Sequence, residues 1–411
     1  MWYSWDVPRF EPFTGLRYDP AIPLDKVIAP PYDIVDAEER ARLAGRHLAN
    51  AILVELPLED PRTGLDRYQS AAAYLARWME EGVLQREARP AFYAYRMTEP
   101  DGNATTGVIG ALGCDPGGSE VLPHEQTMPK DTTDRLDLLR AAKANLSPIW
   151  GLSLSPGVSK TYAIDGPPTA EATDDQGVVH ALWVLDDPAV TEAITAGVAE
   201  APLVIADGHH RYHTALAYQA ELKASGGSRA EGDVAGSDGS GGGNAIMAFV
   251  VELSEDQLSV GPIHRTLSGL PDDLDLAETF GQWFDTVHVG PADDTLVDAV
   301  ADSEALALVT ADDVWLLTPR EETYTEAGSD LDSSLIALVV DQIPGVTTSY
   351  HHDWHAAIAA VNAGVAGAAV LIRPVTVGQI GEWAHAHRRM PPKSTYFHPK
   401  PRTGMVFRRV D

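Results

Sequence analysis

The sequence predicts an α/β (α+β) protein with mixed sheets and interleaved helices. Apolar, β-branched runs such as 203–206 and 245–253 alternate along the chain with segments of helical period such as 66–81. The hydrophobic content of 44% and the charged content of 22% are typical of a globular protein. At 411 residues the chain exceeds the roughly 250–300 residues of a single core, so several cores are expected.

Each helix and strand is predicted from the period of its apolar residues, its length and the residues at its ends. Short apolar runs predict strands at 51–56, 91–97, 107–112, 148–154, 180–185, 203–206, 245–253, 305–310, 313–318, 368–373 and 404–409. Apolar residues at helical spacing predict helices at 66–81, 133–145, 209–223, 354–363 and 376–388. Thr132 or Thr133 suits the N-cap of the second helix and Asp353 that of the fourth, because their oxygens accept from free N–H groups. The turn Ala311-Asp312 predicts a hairpin from 305 to 318.

The composition of short segments predicts three portions. An N-terminal α/β portion spans 1–115, a core spans 120–325, and a C-terminal α/β portion spans 326–411 and packs on the core. The Gly/Ser/Asp-rich stretch 225–244 has no apolar anchor, which predicts a flexible insertion within the core portion.

Charge and cysteine content exclude several classes of protein. Thirty basic and sixty acidic residues give a formal charge of −30, which disfavours generic binding to nucleic acid or to anionic membranes. The single cysteine, Cys114, excludes an intrachain disulfide. The N-terminus lacks the basic and apolar segments of a signal peptide, and no apolar stretch approaches 18 residues, so a cytoplasmic protein is expected.

The strongest functional signal is the segment 205–213, with the sequence IADGHHRYH. A buried strand is predicted to end at Asp207, and Gly208 supplies the backbone freedom of a tight turn. The helix that follows presents free N–H groups, and Gly208, His209, His210 and Arg211 together predict an anion site at its N-terminus.

The three histidines of this segment allow two other interpretations. His209 and His213 are four residues apart and share a helix face, which is the spacing of helical zinc ligands. No third ligand is fixed by the sequence, although His124 is one candidate. Alternatively, the histidines only cap the helix and bond to the backbone.

A second segment, from His124 to Lys130, combines titratable and hydrogen-bonding groups around a proline turn. Glu125 beside His124 suits a general base if its surroundings raise its pKa. Lys130 and Arg135 suit neutralisation of phosphates. The alternative is a solvated loop leading into a capped helix.

A third segment, 390–400, contains two of the seven lysines of the chain. Lys393 and Ser394 are candidates for closing over an anionic ligand, and the His264-Arg265 pair for a further phosphate contact. The alternative for the third segment is an edge strand whose lysines prevent aggregation. Weaker candidates are Tyr32 and Asp33, and the run 351–355, which suits a metal cluster or a helix entry.

Several standard motifs are absent, but the segments in combination resemble a known family. No GxxxxGK[ST], GxSxG or GxGxxG motif is found. The segments 12–20, 29–35, 124–152, 205–216, 262–265 and 390–400 resemble, in order, the family catalogued as domain of unknown function 1015 (DUF1015). The turn 208–211 is similar to the phosphate-binding motif of the ParB/sulfiredoxin superfamily, which includes partition proteins, sulfiredoxin and free-serine kinases.

The resemblance implies a ParB/sulfiredoxin-like core that binds ATP or ADP with Mg²⁺. It suggests phosphoryl transfer to a small hydroxyl compound such as free serine. Arg211 and His210 would hold phosphates with Lys130 or Lys393, Asp207 would bind Mg²⁺ or orient the motif, and Glu125 would accept the hydroxyl proton. His209 stands where sulfiredoxin has its cysteine, which argues against sulfinic-acid repair.

Two other functions remain open at this point. A nucleotide-binding regulator would bind the same ligand without turnover of a small molecule. A metal-dependent hydrolase or phosphatase would use His209, His213 and His124. The expected partners are a nucleotide and a small-molecule substrate, without nucleic acid or membrane, and a homodimer is one arrangement considered.

Overall fold

The computed structural model describes residues 7–123, 133–225, 242–271, 273–291 and 305–411. The chain forms two compact units, of which the first comprises Met1–Ser259 with Pro399–Asp411 and the second Val260–His398. Both combine sheets with helices, so the predicted α/β class with mixed sheets is confirmed. The division into 1–115, 120–325 and 326–411 stays a prediction.

The first unit is built on a nine-stranded mixed sheet. Its strands follow the spatial order Val121–Pro123, Leu203–Asp207, Ile149–Ser153, Ala245–Glu252, Ala104–Gly113, Phe92–Thr98, Val179–Leu185 and Ala170–Thr173, and Phe10–Glu11 pairs with Ala104–Gly113. Two small sheets pair Leu16–Tyr18 with Leu84–Arg86 and Ala144–Asn145 with Arg408–Arg409. The last pairing joins the C-terminal residues to the first unit.

The helices of the first unit create two cores. They are Leu24–Val27, Ala37–Arg46, Ile52–Glu55, Arg67–Glu80, Thr133–Ala142, Pro188–Val198 and His209–Ala224, with 3₁₀ turns at Tyr32–Ile34, Val158–Lys160 and Gly242–Asn244. One core lies against the large sheet and includes Phe10, Ile149 and Tyr212. The other gathers the N-terminal helices around Trp78 and Phe407.

The strand Leu203–Asp207, called the motif strand below, lies near one edge of the large sheet. It pairs in parallel with Val121–Pro123 and antiparallel with Ile149–Ser153, and its register shifts between Ile205 and Asp207. Asp207 therefore lies opposite Trp150, and the segment just before Ile149 lies beside the end of the motif strand.

The second unit contains a six-stranded antiparallel sheet. Its order is Phe284–Gly290, Val314–Pro319, Leu306–Val309, Ala368–Leu371, His264–Ser268 and Thr347–His351. A separate two-stranded sheet pairs Ser259–Gly261 with Tyr396–His398. The helices in the described ranges of this unit are Leu276–Phe280, Glu321–Ala327, Asp332–Val340, Trp354–Asn362 and Val377–His385. No helix in the described ranges of the whole chain is long and apolar enough to cross a membrane.

Most predicted elements are confirmed to within a few residues, and two are wrong. The run 51–56 is not a strand, because Ile52–Glu55 forms a short buried helix whose Ile52 N–H donates to the Asn50 side chain at 2.9 Å. A short buried helix and a buried strand share the same apolar pattern. Only Arg408–Arg409 of the predicted strand 404–409 is a strand. Of the predicted insertion 225–244, Ser225 caps a helix and Gly242–Asn244 is a 3₁₀ turn.

Candidate functional site

The candidate site begins at the turn between the motif strand and the helix His209–Ala224, called the motif helix below. Gly208 has φ 89° and ψ 26°, the left-handed conformation that favours glycine, and no side chain caps the helix N-terminus. A Cβ at this position would lie 2.9 Å from Cγ2 of Ile149. The turn therefore needs glycine for its backbone conformation, as the sequence predicts, and also for space.

Asp207, at the end of the motif strand, lies between two cations. Arg211 Nη2 donates to Asp207 Oδ2 at 2.8 Å, and Lys400 Nζ donates to Oδ1. Burial alone would raise the pKa of the Asp207 carboxyl, but Lys400 and Arg211 outweigh it and lower that pKa to about 2. The result is one ionised carboxylate with two cations in direct contact.

Arg211 makes further contacts that hold its guanidinium group in place. Its Nη1 donates to the carbonyl oxygen of Pro148 at 2.6 Å and to Ser147 Oγ at 3.1 Å. Ser147 Oγ in turn donates to Glu55 Oε1 at 3.1 Å. A continuous chain of hydrogen bonds thus connects Asp207 to Glu55.

Glu55 is a buried carboxyl group with spare hydrogen-bonding capacity. The residue is 2% exposed, and its Oε2 has no hydrogen-bond partner in the part of the chain that the structure describes. Burial raises the pKa of Glu55, although Arg135 and Arg211 oppose the shift. Glu55, Ser147 and Arg211 line one cavity of about 60 Å³. This volume accommodates a few water molecules or a small polar group, at roughly 10–15 Å³ for each water.

Arg135 is a neighbour of this cluster, but its charge is already compensated. It lines the same cavity, its Nη1 donates to the Glu55 carbonyl oxygen at 2.9 Å, and its guanidinium lies 4.3 Å from the centre of the Tyr32 ring. Its Nη2 also pairs with Asp134 at 2.6 Å. Arg135 therefore acts as a wall of the cavity, whereas the sequence favoured a phosphate contact.

The other predicted residues lie elsewhere. His124, Glu125 and Lys130 fall outside the described residues. His264, Arg265, Lys393 and Ser394 belong to the second unit. His264 and Ser394 line one cleft there, whereas Arg265 donates to the carbonyl oxygens of Ile263 and Lys393. The structure thus groups Asp207–Arg211 with Arg135, and His264 with Ser394.

The surroundings of Asp207 do not fit the predicted magnesium ligand. Both of its oxygens accept hydrogen bonds from cations, which would compete with a divalent ion. Across the ranges that the structure covers, no three His, Cys, Asp or Glu side chains are placed to hold a metal. His209 and His213 therefore lack a third ligand among the described residues.

Two residues of this cluster, Glu55 and Lys400, were not among the sequence candidates. Glu55 lies in the run 51–56, which the apolar pattern assigned to a strand. Lys400 belongs to the lysine-bearing segment 390–400, in which the sequence favours Lys393. The scarcity of lysine pointed to the correct segment, but only the fold shows which lysine meets Asp207.

Replacing Gly208 tests the turn. Gly208→Ala is expected to destabilise the first unit by about 1–3 kcal/mol, the general cost of a strained backbone position. The crowded Cβ adds a further cost and disturbs the Arg211 contacts, so Gly208→Ala should be less stable than a variant that carries the backbone strain alone. The matched control is Gly118→Ala, since Gly118 has φ 68° but no neighbour within 4 Å of an added Cβ. Urea denaturation followed by circular dichroism measures both, and equal stabilities of the two variants would contradict this account of the turn.

Comparison with known proteins identifies the family. The fold and the strand–turn–helix site define an α/β protein with a candidate ligand site at a helix N-terminus. The chain belongs to the family described as "Protein of unknown function (DUF1015)", whose model matches residues 10–334. No curated protein matches the sequence.

Similar solved structures show only weak likeness. A conserved hypothetical protein from Pyrococcus furiosus is 13% identical, with 69% of this chain and 90% of that chain covered and a TM-score of 0.34. A free serine kinase variant in complex with AMP is 15% identical, with 68% and 84% covered and a TM-score of 0.35. C-terminally truncated SbnI from Staphylococcus aureus is 11% identical, with 71% and 82% covered and a TM-score of 0.35. Similarity at this level carries no argument about activity.

Proposed function

We propose that the first unit binds the phosphate groups of ATP or ADP at the Asp207–Arg211 turn and transfers a phosphoryl group to a small hydroxyl compound. Free serine is the leading acceptor, because the sequence resembles a superfamily that contains free-serine kinases. The observation that carries the proposal is the contact of two cations, Arg211 and Lys400, with one carboxylate at an uncapped helix N-terminus. This combination favours a bound anion.

The phosphates would be held by the helix N-terminus together with His210 and Lys400. His210 is partly buried, and its Nε2 has no hydrogen-bond partner within the described ranges. A phosphate oxygen would satisfy this nitrogen. Lys400 can turn from Asp207 towards a ligand, since its ammonium group has three donors on a flexible stem. Arg211 is committed to Asp207, Ser147 and Pro148, so it positions the turn.

Glu55 is the proposed general base. Burial raises the pKa of the Glu55 carboxyl towards the near-neutral pKa that suits a general base. Its Oε2, which has no hydrogen-bond partner among the described residues, can accept a proton. In the proposed step the acceptor hydroxyl oxygen bonds to the terminal phosphorus, and the bond from that phosphorus to the bridging oxygen breaks. The shortened nucleotide leaves with the electron pair, and the hydroxyl proton passes to Glu55. Glu125 remains the alternative base from the sequence.

A transfer assay with full-length protein tests the proposal. ATP and ADP are each supplied as donor with free serine, threonine or glycerol as acceptor, with and without Mg²⁺ and at low and high salt. The expected result is a phosphorylated acceptor that accumulates in proportion to enzyme. Nucleotide binding without acceptor-dependent turnover would instead support a regulatory protein, and absence of nucleotide binding would refute both.

Lys400 gives a prediction specific to this site. Lys400→Met keeps most of the apolar stem but removes one of the two cations at Asp207, so nucleotide affinity is expected to fall about 10-fold or more, equivalent to ~1.4 kcal/mol. Lys223→Met is the control, because Lys223 is exposed near the other end of the motif helix. Isothermal titration with ADP measures both, and equal affinities would remove Lys400 from the site.

A further inference from the structure

The second unit contains a large cleft that the proposed function does not use. Its volume is about 930 Å³, which is within the range of small-molecule sites. Much of its wall is apolar or aromatic, and includes Tyr324, Trp354, Leu371, Ile372 and Val375. Every residue of the wall belongs to the second unit, so the cleft is independent of the nucleotide proposal.

Three helices begin at the wall of the cleft. They are Asp332–Val340, Trp354–Asn362 and Val377–His385, each nine residues long. The first has no side-chain cap, whereas Asp353 and Thr376 cap the other two. Helix N-termini attract negative charge, and an uncapped one also offers N–H donors.

His264 supplies an independent observation that points to a ligand. The residue is 6% exposed and lines the cleft, and its Nδ1 accepts the Ile372 N–H at 3.2 Å. The proton of the neutral ring must therefore reside on Nε2, which has no protein partner among the residues described. Burial, followed by the charge of Arg265, lowers the pKa of His264 to about 4, which is consistent with a neutral ring that donates from Nε2.

The acidic side chains of the cleft are already engaged. Asp332 accepts from Arg373 Nη2 at 2.5 Å and from Arg373 Nε at 3.0 Å. Asp330 accepts from Gln379 at 2.7 Å and from Trp383 at 3.3 Å. Both carboxylates of the lining are therefore already paired. Arg373, the arginine in the lining of the cleft, is neutralised by Asp332. A ligand with a single negative charge therefore fits the cleft better than a phosphate dianion.

We propose that this cleft binds a small organic monocarboxylate with an apolar or aromatic body. The carboxylate accepts from His264 Nε2 and from the N-terminus of the helix Asp332–Val340, and the body packs against Trp354 and the aliphatic wall. A neutral analogue loses the charge-assisted part of these hydrogen bonds, which are roughly twice as strong as neutral ones. An amine analogue finds both lining carboxylates already paired.

Isothermal titration of the full chain with benzoate, benzyl alcohol, benzylamine and phenyl phosphate tests the proposal. Benzoate is expected to bind one per chain, at least 10-fold more tightly than benzyl alcohol or phenyl phosphate, with no binding of benzylamine. Absence of saturable benzoate binding would overturn the proposal. Benzyl alcohol or phenyl phosphate binding as tightly as benzoate would overturn it as well.

Variants locate the bound carboxylate. His264→Phe removes the Nε2 donor and is expected to weaken benzoate binding at least 10-fold. His385→Phe, at an exposed position in the last turn of the helix Val377–His385, is the control. Trp354→Ala changes a less buried residue of the wall and is expected to weaken benzoate binding. This variant tests the proposal if His264→Phe fails to fold. Wild-type affinity in Trp354→Ala, or in a folded His264→Phe protein, would contradict the assignment.

Discussion

Arg211→Ala is expected to abolish detectable nucleotide binding and to destabilise the first unit by about 3–5 kcal/mol. The general cost of removing one partner from a buried ion pair has this size, because the buried charge that remains loses part of its compensation. Here the change leaves Asp207 with Lys400 alone and removes the donor to the Pro148 carbonyl oxygen. Urea denaturation and titration with ADP measure the two effects.

An exposed arginine of the same unit separates this expectation from a general effect of losing charge. Arg140 pairs with Asp137 and Glu221 on the surface, where solvent screens ion pairs and they contribute little to stability. Arg140→Ala should therefore keep nucleotide affinity. If Arg211→Ala retains both the stability and the ADP affinity of the wild type, Arg211 does not organise the turn.

The second large effect is expected from Glu55→Gln. Turnover should fall by about 10²–10⁴-fold, the usual contribution of a general base, while nucleotide affinity stays close to that of the wild type. A structural role for Glu55 would leave turnover of the folded variant unchanged. Glu125→Gln is the paired experiment, because it tests the base that the sequence predicts.

The stability of the same variant has an expected pH dependence. A carboxyl group whose pKa is raised on folding stabilises the protein at acidic pH, and this contribution is lost as pH rises through the folded-state pKa. Glu55→Gln should therefore gain stability relative to the wild type as pH rises from about 4, near the ordinary Glu value, towards neutrality. The control is Glu81→Gln, at an exposed helix end. If the difference in stability between Glu55→Gln and the wild type does not change with pH, burial does not raise the pKa of Glu55.

The sequence predicts the local geometry of the site because the relevant signals are local. Nine consecutive residues, 205–213, predict the end of a buried strand at Asp207, the glycine turn and the start of a helix. The structure confirms each of these three features. The helix Arg67–Glu80, capped by Asp66, is predicted for the same reason.

The partners of the turn could not be predicted, because tertiary contacts select them. Lys400 lies 193 residues from Asp207 along the chain, and Ser147 lies 92 residues from Glu55. The role of Glu55 was also hidden by the incorrect strand at 51–56, in which alternate side chains point to opposite faces. The short helix places the Glu55 carboxyl beside Ser147 instead.

The most direct test of the central claim is the affinity of the wild-type chain for adenosine, AMP and ADP, measured by isothermal titration at two salt concentrations. If cations and a helix N-terminus hold the phosphates, the affinity should rise with each phosphate group of the ligand. Added salt should then weaken the binding of ADP more than the binding of adenosine. Equal affinities for adenosine and ADP, or no binding of either, would contradict a phosphate site at Asp207–Arg211.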